Sequence, residues 1–171
     1  RNVSADEFRF TDLPNSTRVT AKNLRADQVT KDGVIVGGID APVVDLENTD
    51  AGLVVHSDRL RVASIDAGAA VLGSLNIGGV RLTIRQGRVE VRSDDIDAGK
   101  VALKKTADLP DGGSLEAVKI ARPVFILEPS GRYRATADMS LGGGAVGSVS
   151  LGAAKANVDV NNDRVAFNNL T

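Results

Sequence analysis

Cysteine and tryptophan are absent from the 171 residues, and histidine, tyrosine and methionine occur once each. Without thiols the chain can form neither disulfides nor thiolate metal sites, which fits a bacterial protein on either side of the inner membrane. The single histidine, His56, leaves no second imidazole to share a metal and one candidate base for a nucleophile. Its neighbour Ser57 lacks the sequence of a nucleophile elbow. No enzyme activity and no cofactor are expected. Charge of one sign is missing too: 21 basic and 22 acidic residues are well mixed, for a net charge of −1. Nucleic-acid binding needs a basic stripe, so it is not expected. No run of 18 apolar residues occurs, so nothing reads as a membrane-spanning helix. Aromatic residues make up 3% of the chain. Val, Leu, Ile and Ala must therefore fill the interior, which points to a thin or repetitive core.

Alternation dominates what is present. Val80-Arg-Leu-Thr-Ile-Arg85, Val89-Glu-Val-Arg92, Tyr133-Arg-Ala-Thr-Ala-Asp-Met-Ser-Leu141 and Val158-Asp-Val160 alternate apolar with other side chains. A period of two places one set of side chains on each face of a sheet. The pattern predicts strands at 18–24, 34–36, 43–46, 53–57, 60–64, 70–72 and 75–77. It continues at 80–85, 88–92, 100–104, 115–121, 123–127, 132–141, 146–151, 154–160 and 164–168. Tight hairpins are expected at Ile77-Gly-Gly-Val80, Arg85-Gln-Gly-Arg88, Pro129-Ser-Gly131 and Asn161-Asn-Asp163. No helical stripe of useful length appears. The 18 glycines follow no collagen period and suit frequent turns. Arg18-Val-Thr-Ala-Lys-Asn-Leu24 and Arg164-Val-Ala-Phe-Asn-Asn-Leu170 share the pattern R-V-x-x-x-N-L, and Asp-Ala-Gly recurs at 50–52, 66–68 and 97–99. Such echoes suit a sheet built by repetition.

Other candidate sites read as structure. Asp94-Asp-Ile-Asp97 lacks a calcium-loop frame and is expected to be an exposed hairpin. Gly142-Gly-Gly-Ala-Val-Gly147 has no Lys-Ser/Thr and no following helix, so it reads as a turn or bulge. Lys100, Lys104 and Lys105 read as a solvated strand edge. What remains is an apolar face. Val80, Leu82, Ile84, Val89, Val91, Val101, Leu103, Tyr133, Ala135, Ala137, Met139 and Leu141 should share one side of the sheet. Either a second sheet covers them, or they line a trough open to an oily guest. Composition leaves both readings standing.

The phrasing from Ala121-Arg-Pro-Val-Phe-Ile-Leu-Glu-Pro-Ser-Gly-Arg-Tyr133 through Gly142–Gly152 to Asn169-Leu170 resembles the repetitive β-region of the AsmA-like superfamily, specifically its TamB-type translocation and assembly module proteins. The likeness covers about 50 residues well, and residues 18–103 follow the style more loosely. It implies an all-β, elongated, curled, mainly antiparallel sheet forming a half-open "taco", with a β-solenoid or β-sandwich as alternatives. It implies phospholipid acyl chains as the guest and an outer-membrane barrel as a possible partner in assembly. The implied location is the periplasm, with an inner-membrane anchor in a region outside this chain. The resemblance brings no catalytic residues. The chain opens on Arg1-Asn-Val and stops at Asn169-Leu-Thr171, so residues 1–171 are read as one β-rich segment of a longer protein. A self-associating structural solenoid, such as an adhesin passenger or bactofilin-like filament, is the alternative from another class. Stacked about 4.8 Å apart, some fifteen strands would make a trough on the order of 70 Å long.

Overall fold

The computed structural model describes residues 2–171, which form fifteen strands and no helix. In chain order the strands are β1 (Val3–Ser4), β2 (Glu7–Leu13), β3 (Ser16–Lys31), β4 (Val34–Thr49) and β5 (Gly52–Asp66). Next come β6 (Ala70–Leu72), β7 (Leu75–Arg85), β8 (Arg88–Arg92), β9 (Asp95–Leu103) and β10 (Gly113–Leu127). The series ends with β11 (Tyr133–Leu141), β12 (Gly143–Val146), β13 (Val149–Leu151), β14 (Ala154–Asn161) and β15 (Val165–Asn168). All belong to one antiparallel sheet whose two outer edges do not meet, so it is curled but not closed.

Each pass of the chain lays one level of a ladder, and some passes are broken in the middle. The levels are β1 with β2, then β3, β4, β5, β6 with β7, β8 with β9, β10, β11 with β12, β13 with β14, and finally β15. Strand breaks leave fewer levels than strands, so the ladder is about 45 Å deep and not 70 Å. Antiparallel pairing throughout also rules out a closed coil of parallel rungs, and a single sheet rules out a sandwich.

Registers align apolar side chains in rows that cross nearly every level. One row runs Phe10, Val19, Leu46, Val55, Leu82, Val91, Phe125, Ala135, Val160, Val165. A second runs Leu60, Ile77, Ile96, Ile120, Met139, Ala156. A third runs Val29, Val36, Ile65, Leu72, Val101, Leu115. Between the rows the alternation slips by one residue, and from β3 to β10 it slips at the same height in neighbouring strands. Strands β11 and β14 run through the first slip unbroken, with the extra residue in β10 and β15. In β5 the inward residues are Val55 and Ser57, then Leu60 and Val62, then Ile65. Their β6–β7 partners are Leu82 and Val80, then Ile77 and Leu75, then Leu72. Two adjacent residues therefore face outward at each slip, and the sheet creases there along two lines.

Left-handed residues make the creases. Asn23, Gly79, Arg122 and Asn169 have φ of 50°, 56°, 51° and 54° on one line, and Gly38, Gly99 and Ala117 have 61°, 56° and 51° on the other. Ordinary L-residues resist this conformation, so the fold must hold it from outside. Polar side chains on the convex face do so: Asn23 donates to Asp6 at 2.8 Å, Asn157 and Arg122 both donate to Asp138, and Asn169 donates to Asn157. Ser57 fixes the crease of β5, its Oγ lying 2.8 Å from Val43 O and 2.9 Å from Arg59 O. The deepest side chains sit between the two creases, where Val62, Leu75, Ala98 and Val118 form the centre of the apolar cluster.

These creases explain where the sequence reading went wrong. Strands expected at 34–36 and 43–46 are both part of β4, and 53–57 joins 60–64 in β5. Likewise 75–77 joins 80–85 in β7, and 115–121 joins 123–127 in β10. Ile77-Gly-Gly-Val80 is no hairpin but a crease within β7. Asp95–Asp97 opens β9, with Asp94 at the break before it, so the acidic run is not a hairpin either. Lys100 lies in β9, between neighbours on both sides, and pairs with Glu116 at 3.0 Å, so it is not an edge residue. The 146–151 stretch divides into β12 and β13 around a turn. The other three hairpins fall where expected.

A Cβ at position 38 would lie 2.6 Å from Ala63 Cβ, at a φ that L-residues avoid. Gly38→Ala is therefore expected to cost about 2–4 kcal/mol in urea unfolding, more than an alanine at an ordinary strand glycine. Convex carboxylates supply a second test. Hydrogen bonds from Arg122 and Asn157 hold Asp138 below the usual carboxylate range, and Arg134 does the same for Asp159. A carboxyl depressed in the folded state stabilises it above the unfolded pKa and stops doing so as pH falls through the folded one. The melting temperature is expected to stay level from neutral pH to about 5 and to fall below about 4, with Asp138→Asn flattening part of that fall.

Candidate functional site

Alternation and the matched creases turn one face of the sheet into a continuous apolar lining. The register puts all twelve expected lining residues on that face: Val80, Leu82, Ile84, Val89, Val91, Val101, Leu103, Tyr133, Ala135, Ala137, Met139 and Leu141. They do not form one compact site. Val101 and Leu141 pack into the cluster between the creases. Val80, Val91, Ala135 and Ala137 line an open groove of about 400 Å³. Leu82, Ile84 and Val89 extend the same face toward the hairpin tips, where the Tyr133 ring stacks on Phe125 at 6.2 Å.

The groove follows the first crease from β5 to β14. Leu60, Ile77, Ile96 and Ile120 make its floor, Pro123 and Val158 its corner, and Phe125 and Val160 its side. Sequence alternation alone could not have assembled it. The floor residues Ile77 and Ile96 belong to the opposite parity from Val80 and Val91 and join them because the strands from β5 to β10 slip at the same height, whereas β11 and β14 pass through without a slip. The groove volume lies within the range of about 300–1,000 Å³ common to small-molecule sites. Among the described residues no large apolar side chain is completely buried. Along the groove the lining is open in front, while Val62, Leu75 and Val118 in the cluster between the creases are covered.

Polar chemistry on this face is sparse. Ser93 lines the groove, and its buried Oγ has no hydrogen-bond partner. His56 points the other way, with Nδ1 3.1 Å from Val80 O and Nε2 2.9 Å from an Asp58 oxygen. As consecutive residues of one strand, His56 and Ser57 lie on opposite faces, and they form no nucleophile–base pair. No group of three His, Asp or Glu side chains among the described residues comes close enough to hold a metal ion. A larger hollow of about 610 Å³ is lined by Asp95, Asp97, Lys119, Arg122, Asp138 and Lys155. Its charged lining, engaged in ion pairs such as Lys119–Asp97 and Arg122–Asp138, suits no apolar guest.

Ala137 is small, faces the groove and pairs with Val158. Ala137→Trp is expected to fill the groove and weaken binding of an apolar fluorescent dye by about tenfold, or ~1.4 kcal/mol. Fluorescence titration measures this, with the melting temperature as the control for folding. No protein-family model, curated protein or solved structure matches the chain.

Proposed function

We propose that the curled sheet is a trough for phospholipid acyl chains, a segment of an AsmA-like, TamB-type protein that carries lipid between the inner and outer membranes or supports outer-membrane protein assembly. One observation carries this reading. The apolar rows run across almost the whole ladder, none of their large side chains is fully buried, and along the first crease they leave an open groove. In a protein folded for stability alone, such a face would be covered, because leaving it in water forfeits about 25 cal/mol per Å².

Aliphatic side chains suit this guest. Each buried methylene of an acyl chain contributes about 0.8 kcal/mol, and the contact has no preferred direction. Rows that repeat at every level offer nearly the same lining at each step, so a chain can shift along the trough without entering a deep trap. The headgroup would stay in water at the open side. Nothing in this cycle requires bond cleavage by these residues. In this reading the protein works in the periplasm, and membrane contact, energy coupling and any barrel partner belong to regions outside the 171 residues.

Photo-crosslinking tests the proposal directly. Leu82 and Thr83 are neighbours in β7 on opposite faces, so each is replaced in turn by a benzophenone amino acid and exposed to phospholipid vesicles under ultraviolet light. Phospholipid adducts, measured by mass spectrometry, are expected at position 82 at about tenfold or more the yield at 83. Equal yields, or none at 82 and at a second groove position such as 135, would sink the trough.

A further inference from the structure

On the convex face the registers set opposite charges against each other. Lys22 faces Glu7 with their charged groups 2.7 Å apart, and Arg25 faces Asp40 at 3.6 Å. Lys100 faces Glu116 at 3.0 Å, and Lys119 faces Asp97 at 3.8 Å. The β7–β8 hairpin breaks this pattern twice. Arg81 lies directly opposite Arg92, and Arg85 lies directly opposite Arg88. Like charges facing each other across a strand pair are destabilising, so the sheet itself gains nothing from the arrangement.

Parity places all four arginines outside. Val80, Leu82, Ile84, Val89 and Val91 face the trough, so the residues between them face away from it. Two carboxylates stand against these four guanidinium groups. Glu90 pairs with Arg92 and, at 3.4 Å, with Arg88, while Glu128 reaches Arg88 at 3.3 Å. On the β5 side Arg81 meets His56 and Thr83 meets Val54, so no acid approaches from there. Among the described residues Arg81 and Arg85 therefore pair with no carboxylate.

These side chains surround a hollow of about 470 Å³, lined by Arg81, Thr83, Arg85, Arg88, Glu90 and Glu128. Its size falls within the range of about 300–1,000 Å³ common to small-molecule sites. Arg81, Thr83 and Arg85 are alternate residues of β7, so their Cα atoms step by about 7 Å along one side. A guanidinium presents its N–H groups as a planar fork that fits the oxygens of a phosphate two at a time, and the Thr83 hydroxyl adds a donor between the two forks. Glu90 and Glu128 come from β8 and the end of β10, and both are engaged by Arg88. The β7 side is left as a run of donors with no internal acceptor. Two forks on one hollow suit a ligand with two adjacent anionic groups, and a recess suits a group that enters it better than a flat membrane surface.

We infer that this hollow binds the diphosphate group of a soluble ligand, with Arg81 and Arg85 gripping its oxygens and Thr83 donating between them. Bound anion offsets the repulsion that the opposed arginines build into the hairpin. The site lies on the face away from the trough and does not rest on the lipid reading, so either can fail without the other.

Calorimetric titration of the 171-residue chain with pyrophosphate tests it, in about 20 mM salt so that exposed charges are little screened. Wild type is expected to bind, and Arg81→Gln with Arg85→Gln to weaken binding about tenfold or more. Arg59→Gln with Arg61→Gln removes the same charge from the convex side of neighbouring β5 and should leave affinity within about twofold. The melting temperature checks folding. Arg81→Lys with Arg85→Lys keeps the charge without the fork, is expected to bind about fivefold more weakly, and replaces the first pair should that fail to fold. Cosedimentation with phosphatidylglycerol vesicles is measured alongside. No binding of pyrophosphate by wild type, or equal loss in the two glutamine pairs, overturns the inference. Binding to the vesicles without binding to pyrophosphate also overturns it and makes the patch a membrane contact.

Discussion

Most levels of the sheet change face twice, at the same two heights as their neighbours, while β11 and β14 run straight through the first crease and the extra residue lies in β10 and β15 beside them. If a single strand slipped alone, its inward residues beyond that point would be turned to solvent and its partners would lose register. If all slip together, registers survive and the sheet bends. That matching is the constraint on which the groove and the apolar cluster depend. It explains why left-handed residues fall along lines across the sheet and why the crease in β3 recurs, residue for residue, after β15. It also accounts for the polar stitching on the convex side, since Asn23, Arg122 and Asn169 would relax without partners on adjoining levels.

Energetically this is a ladder and not a globule. The fully covered apolar residues are mostly small or β-branched, such as Ala41, Val62 and Ala98, and they lie in the fold between creases. Away from that line, stability rests on cross-strand pairs and backbone hydrogen bonds, each modest. Ion pairs on the convex face are exposed and add little individually. A structure held by neighbour-to-neighbour contacts can present a wide apolar surface without collapsing onto it, because hydrogen-bonded strands resist sliding over one another. The open lining is thus a consequence of how the chain folds, and the proposed lipid cargo makes use of it.

Much of this was legible in the chain. Alternation identified the sheet, its antiparallel character and the face on which Val80, Leu82, Val91, Ala135 and Ala137 lie. Turn chemistry placed the hairpins at 85–88, 129–131 and 161–163. Three things misled. Gly78-Gly79 has hairpin composition, yet it serves a crease, because glycine supplies positive φ to either. Asn23 and Arg122 gave no local sign of left-handed geometry, so β3 read only as 18–24 and β10 as the two short strands 115–121 and 123–127. The floor residues Ile77, Ile96 and Ile120 escaped the expected lining because their parity differs from that of Val80 and Val91.

By itself the sequence determined a β-structure with one oily face, no thiol chemistry and one imidazole, because those properties are set by residue types and a period of two. Whether that face closed on itself, was covered by another sheet or stayed open was decided only in three dimensions. Alternation records the parity of a side chain within its own strand. Curvature arises from slips shared between strands far apart in the chain, and so does the groove along the crease.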